Sequence, residues 1–324
     1  MAQFDLPLDE LRAYKPARHE PADFDAFWSD TLAEASAAAF DAEFQPFDAG
    51  LTSLEVSDVT FAGFGGDPIK AWLLLPVRRD GPRPCVVEYL GYGRGRGHPV
   101  EWLVWASMGY AHLVVDARGQ GAEWSSGDTP DRHPAGGPQH PGFLTRGIDD
   151  PKEYYYRRLI TDSVRAVDAV LDHPAVDRTR IVVAGSSQGG GLALAVAGLS
   201  AEVAVLFSDV PFLSDIRRAT EITDAHPYAE LVGYLRIRRT EVQAAFGTLD
   251  YVDGVNFAAR ATASALFSVG LMDTICPPST VFAAFNHYGG PKRISVWPYN
   301  SHEGGGIQHT MERADLLRSM WPGH

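Results

Sequence analysis

Residues 182–191 read VVAGSSQGGG. β-Branched apolar residues stop abruptly at Gly185-Ser186-Ser187-Gln188-Gly189, and an alanine-rich apolar segment follows. The apolar run predicts a buried strand, RIVVAG over 180–185, and the segment after it a helix over 189–199. A serine at such a corner, with a glycine two positions away on either side, fits a nucleophile elbow. The glycines leave room for neighbouring backbone, and the Ser187 hydroxyl then stands above the sheet. The alternative is a glycine-rich turn that serves only close helix–strand packing. The pentapeptide alone does not separate the two, so its surroundings must. Ser186 is off the central position and is taken as a neighbour.

Outward from this corner the chain alternates. Short apolar runs predict strands at CVVEYL (85–90), AHLVVD (111–116), VAVLFS (203–208), ALFSVG (265–270) and RISVWPY (293–299). Helical patterns fall between them, over about 100–108, 153–172, 277–288 and 305–320. Continuously apolar strands separated by helices imply a mostly parallel central sheet with helices on both faces. Upstream, LEVSDVTFAG and PIKAWLLLP, joined through Gly63 to Asp67, predict an antiparallel hairpin. Residues 22–39 show helical spacing at Phe24, Phe27, Trp28 and Leu32. An antiparallel hairpin leading into such a run fits an α/β-hydrolase fold, expected as one domain over 1–324 with an N-terminal extension over 1–50. Two segments break the alternation. Residues 119–150 are a long Gly/Pro-rich loop, and loops of that length are commonly functional or disordered. A helical insertion over about 212–260 is expected to cap the edge of the sheet.

A serine hydroxyl needs a base to become a nucleophile. On this fold the partners follow in the order serine, acid, histidine. Of the 11 histidines, only His287, His302, His309 and His324 come late enough. His302, in WPYNSHEGGG, directly follows a strand and is the expected base; His287 and His309 lie in helical patterns and read as surface or packing residues. The acid must follow a strand and precede His302, which leaves Asp209 and Asp273. Asp273 is favoured because it follows the strand just before the histidine-bearing one; Asp209 reads as a structural carboxylate or part of the pocket floor. A second oxyanion donor belongs in the loop after 85–90, LGYGRGRGHP. The backbone N–H of Tyr92 is the best candidate there, paired with that of Gln188. Arg94 and Arg96 read as solvated loop residues.

Rival chemistries fare worse. A dinucleotide fingerprint over positions 91, 93 and 96 fails because position 96 is arginine, and no Gly-Lys-Ser/Thr follows. His302-Glu303 begins like a zinc-protease helix motif, but the second histidine would fall on Gly306, so no metal or other cofactor is expected. Glu303 is expected to pair with a charged or polar neighbour. Cys85 and Cys276 are too few for a disulfide framework or a cysteine metal site and read as reduced, buried thiols. A net charge of −13 disfavours nucleic acid as a partner. No stretch approaches 18 consecutive apolar residues, so no membrane partner is expected. The first residues, MAQFDLPLDELRAYKP, hold no apolar h-region, so the expectation is a cytoplasmic protein.

With these residues in place, the chain resembles the acetylxylan esterase / cephalosporin-C deacetylase family, carbohydrate esterase family seven. Arg118-Gly119-Gln120, Gly185-Ser186-Ser187-Gln188-Gly189 and His302-Glu303 carry the match, with YYYRRL, DGVNFAAR and MDTICPPSTVFAA in support. The resemblance implies a serine esterase with Ser187, Asp273 and His302 as triad and the Tyr92 and Gln188 N–H groups as oxyanion hole, Tyr92 also touching substrate. It implies removal of acetyl groups from small substrates: xylo-oligosaccharides, other acetylated sugars and cephalosporin C. It further implies a homohexamer whose sites face an internal cavity, and a structural role for Arg118-Gly119-Gln120. Trp124, Phe212 and Tyr228 are candidates to limit the acyl pocket, against core packing as the alternative. Two further alternatives are a catalytically silent receptor of the same fold and a serine peptidase of related fold.

Overall fold

Successive residues of the central strands face opposite helical layers, as the two-residue period of a strand requires. Val182 and Ala184 pack with Val86, Trp105, Phe207 and Leu317 on one side. Ile181 and Val183 pack with Val87, Leu113, Val167 and Val196 on the other. This two-sided burial is why the strands read as unbroken apolar runs rather than alternating ones. The computed structural model describes residues 3–132, 137 and 139–323. Positions 133–136 and 138 of the Gly/Pro-rich loop, and His324, lie outside the described residues.

Nine strands form one sheet among the described residues: β1 (Glu43–Pro46), β2 (Leu54–Ala62), β3 (Pro68–Pro76), β4 (Arg83–Tyr89), β5 (Ala111–Val115), β6 (Val176–Ser186), β7 (Val203–Asp209), β8 (Ser264–Gly270) and β9 (Lys292–Trp297). Their spatial order is β1-β2-β3-β5-β4-β6-β7-β8-β9. The β1–β2, β2–β3 and β3–β5 pairs are antiparallel, and every pair from β5–β4 to β8–β9 is parallel. The helices are α1 (Leu8–Ala13), α2 (Phe24–Ala37), α3 (Leu103–Ser107), α4 (Tyr155–Leu171), α5 (Gln188–Leu199), α6 (Ile216–Ile222), α7 (Tyr228–Ile237), α8 (Val242–Leu249), α9 (Gly254–Ala258), α10 (Pro278–His287) and α11 (Gly306–Met320). The expected mostly parallel sheet with helices on both faces is what forms.

Strand β4 lies between β5 and β6, so the chain leaves β4 in one direction and returns to its other side. That reversal opens a crevice at the carboxyl ends of β4 and β6, where open parallel sheets bind ligands. The glycine-rich loop after β4 and the Ser187 corner after β6 both enter it, held level by the pairing of Tyr89 with Gly185.

Differences from the sequence expectations are local. β1 and α1 form within the stretch treated as an extension. Between β7 and β8 the chain is helical, as expected, but α9 packs on α5 and α10 in a helical layer; the edge positions belong to β1 and β9. Arg96 is buried rather than solvated. Its guanidinium pairs with Asp58 at 2.7 Å and Asp128 at 2.8 Å and lies 3.8 Å above the Trp72 ring. Charge partners on either side, and an aromatic face below, make that burial tolerable.

Candidate active site

Ser187 has φ 59° and ψ −121°, a strained combination for a residue with a side chain. Its neighbours hold it there. The Ser187 N–H donates to the Asp209 carbonyl at 2.9 Å, and its own carbonyl accepts from Phe212 and Gly191 N–H groups at 3.0 Å each. Only glycine fits on either side: a Cβ on Gly185 would lie 2.3 Å from the Gly189 carbonyl carbon, and one on Gly189 would lie 2.1 Å from the Tyr89 oxygen. The sharp turn delivers the serine to the head of α5, where helix N–H groups lack intrahelical partners.

His302 sits in the loop after β9. Its Nδ1 lies 2.8 Å from Oδ2 of Asp273, which is fully buried just after β8. The other carboxylate oxygen of Asp273 accepts the N–H groups of Ile275 (2.8 Å) and Cys276 (3.0 Å), so the carboxylate is anchored from both sides. The Ser268 hydroxyl donates to the Gly304 carbonyl, tying the histidine loop to β8. Ser187 and His302 line the same cavity, of about 760 Å³. The thiol of Cys276 lies beside the Ser187 hydroxyl, and burial pushes it well above its ordinary pKa, so it stays a neutral thiol.

The rival acid is accounted for elsewhere. Asp209 accepts from His309 Nε2 at 2.9 Å and pairs with Arg313 at 3.0 Å. Burial opposes its ionisation, but Arg313 and His309 outweigh that and lower its pKa. It ties β7 to α11, and the buried His309 is part of that tie. His287 bonds the Pro16 carbonyl at 2.8 Å, away from the serine. Glu303 accepts from Asn300 and from the Ser301 N–H within its own loop.

The two candidate oxyanion donors, Tyr92 N–H and Gln188 N–H, have no protein acceptor among the described residues. Their loops are bound together by Gln120. Its Oε1 accepts the Gly93 N–H at 2.7 Å, and its Nε2 donates to Gln188 Oε1 and to the Tyr155 hydroxyl, each at 2.9 Å. Gln188 also accepts from Tyr156 at 3.0 Å, which gives the YYYRRL stretch a place behind the site. Arg118 is fully buried, with a bidentate pair to Asp162 at 2.5 and 2.8 Å and a further contact to Asp67 at 3.2 Å.

Tyr92, Arg94, Trp124, His226 and Ile275 complete the cavity wall near the serine. Trp124 is 84% exposed and stands at the mouth; Phe212 and Tyr228 are fully buried in the core and do not line it. His226 was not legible as a wall residue, because it is brought in by a turn before α7. Among the described residues no group of three or more His, Cys, Asp and Glu side chains could hold a metal ion, and no helix is long and apolar enough to cross a membrane.

A strained serine at the switch point of this sheet, with a histidine on the same cavity wall and a buried aspartate behind it, defines an α/β-hydrolase-fold protein. Residues 1–319 match the acetyl xylan esterase (AXE1) family, and the chain belongs to it. It is similar to the acetyl xylan esterase from Paenibacillus sp. R4, with a TM-score of 0.90 and 39% identity over 97% of this chain and 99% of that one. It is similar also to acetyl xylan esterase 1 from Thermoanaerobacterium sp. JW/SL YS485, with a TM-score of 0.87 and 33% identity over 96% of this chain and 98% of that one. A curated relative, acetyl esterase Axe7A of Xylanibacter ruminicola, is 29% identical over 293 residues, or 89% of this chain. The match spans 65% of that protein's length.

Proposed function

We propose that this protein is a serine esterase that removes acetyl groups from small acetylated substrates through an acetyl-enzyme. The observation that carries this is His302, held by Asp273 at 2.8 Å and lining one cavity with the strained Ser187. In this reading His302 Nε2 takes the Ser187 proton as the oxygen attacks the acetyl carbonyl. Asp273 holds the proton on Nδ1 and stabilises the imidazolium without accepting that proton. The N–H groups of Tyr92 and Gln188 meet the developing oxyanion, each worth on the order of 10²–10³-fold in rate. Collapse of the tetrahedral adduct expels the alcohol, which takes the proton from His302. Water then repeats the sequence and frees acetate.

The substrates in this reading are acetylated xylo-oligosaccharides, other acetylated sugars and cephalosporin C. Exposed Trp124 supports an acceptor with a flat apolar face, such as a sugar ring, at the cavity mouth. The family resemblance carries the remaining parts of the proposal, a hexamer and a cytoplasmic setting. Ser187→Ala should remove p-nitrophenyl acetate turnover by at least about 10⁴-fold. Retained turnover rejects the nucleophile and with it the mechanism.

A further inference from the structure

The Tyr92 N–H is useful to an oxyanion only if its peptide is held in one orientation, and that peptide lies in a loop of alternating glycines. The side chain supplies the restraint. The Tyr92 hydroxyl lies 2.8 Å from both carboxylate oxygens of Glu230, to which it donates. It accepts from the backbone N–H groups of Phe143 at 2.9 Å and Gly142 at 3.2 Å. A phenol has one proton and two lone pairs, and all three are used. Glu230 also accepts the Leu144 N–H at 3.3 Å, so one carboxylate joins α7 to the 142–144 turn and to Tyr92. The Tyr92 ring meets Phe143 and Phe212 edge-on, with centroids 5.4 and 6.1 Å away. One peptide further along, Gln120 holds the Gly93 N–H, so Tyr92 is restrained through its side chain and through the peptide that follows it.

We propose that Glu230 is a positioning residue for the esterase reaction: through the Tyr92 hydroxyl it fixes the backbone N–H that binds the oxyanion. This rests on the esterase reading above. Glu230 is 138 residues from Tyr92 and hydrogen-bonds neither Ser187 nor His302 among the described residues; the Tyr92 hydroxyl is its hydrogen-bonded link to the oxyanion loop. A donor that binds charge only as it develops acts on kcat rather than on ground-state binding.

The test is a double-mutant cycle on the full chain with p-nitrophenyl acetate, each variant scaled to its active sites by the acetyl burst. Glu230→Ala and Tyr92→Phe should each lower kcat by about tenfold to a hundredfold, with KM within about threefold of the parent. The double variant should be no slower than the worse single one, because both remove the same restraint. Glu230→Gln should recover part of the loss, since its amide oxygen can still accept from both Tyr92 and Leu144. Unchanged kcat in Glu230→Ala, independent losses in the double variant, or a loss that vanishes on scaling to active sites would each overturn the proposal. Should Glu230→Ala fail to fold, Tyr92→Phe and Glu230→Gln still decide it: parental kcat in Tyr92→Phe overturns it. Ser187→Ala in parallel keeps the two questions apart, because turnover there rejects the esterase reading itself whatever Glu230 does.

Discussion

Two aspartates stand at the carboxyl ends of neighbouring strands, Asp209 as the last residue of β7 and Asp273 just past β8, and their surroundings assign them different work. Asp273 is fully buried, anchored by two backbone N–H groups, and aimed at the histidine that shares a cavity with Ser187. Asp209 has its oxygens on Arg313 and His309 instead. Asp273→Asn should therefore cost on the order of 10⁴-fold in kcat with folding retained, because an amide presents the wrong partner to Nδ1–H and spoils the tautomer. Asp209→Asn should leave kcat within about threefold and lower the unfolding temperature, because it leaves Arg313 without its buried partner. The pair of effects, one kinetic and one thermal, separates the assignments; reversed effects would make Asp209 the acid. In the sequence the elbow pentapeptide pointed to Ser187, and position just after a strand singled out His302 among four late histidines and favoured Asp273; the partners that occupy Asp209 became visible only in the folded chain. Arg96 shows the opposite case. A sequence displays an arginine among glycines and suggests solvent, but its carboxylate partners Asp58 and Asp128 lie 38 and 32 residues away and become neighbours only in the folded chain.

At the scale of elements, legibility followed length and burial. The parallel strands and α4, α5, α10 and α11 were readable because two-sided burial writes long apolar runs into strands, and ten or more residues give a helix several turns of pattern. β1 has four residues, one of them Pro46, and α1 has six, too few for either period to show. The helices between β7 and β8 are held partly by a device that no local pattern reveals. Asp253 accepts the N–H groups of Asp215 and Val255 at 3.0 Å and of Ile216 at 2.9 Å, capping α9 while gripping the start of α6. Burial, with nearby Asp215 adding to it, raises its pKa to about 7. The sign follows from proton binding. Between the ordinary carboxylate value near 3.8 and about 7, the folded chain holds a proton that the unfolded chain releases. This group's contribution to stability is therefore full below about 3.8 and is lost as pH rises toward 7, with an upper bound on the order of a few kcal/mol. Asp253→Asn keeps an accepting oxygen and cannot titrate. Its stability relative to the parent should rise between pH 4 and pH 8 in thermal unfolding. A difference that stays flat with pH would show that Asp253 does not titrate in this range.

At the scale of the whole molecule, the antiparallel β1–β3 side and the parallel side must keep a fixed relation, because the crevice lies between them at β4. Arg118 is placed to enforce it. It follows β5, reaches Asp162 on α4 with two hydrogen bonds, and touches Asp67 in the β2–β3 turn. Asp162 in turn accepts the Phe64 N–H at 2.8 Å from that same turn. The Arg118 carbonyl accepts from Tyr155, which also holds Gln120, so the same group of contacts reaches both oxyanion loops. Burying an arginine this fully is tolerable only with its carboxylates in place, and the reverse holds for Asp162. Removing the guanidinium strands that carboxylate, whose burial already raises its pKa against the pull of Arg118. Arg118→Ala should accordingly destabilise the fold by about 3–5 kcal/mol near neutral pH. Without the guanidinium, Asp162 should take up a proton more readily, so the penalty relative to the parent should shrink as pH falls toward 5. Denaturant unfolding of the two proteins at pH 8 and pH 5 reads both effects. An equal penalty at the two values would mean that packing, not the stranded charge, is what Arg118 supplies.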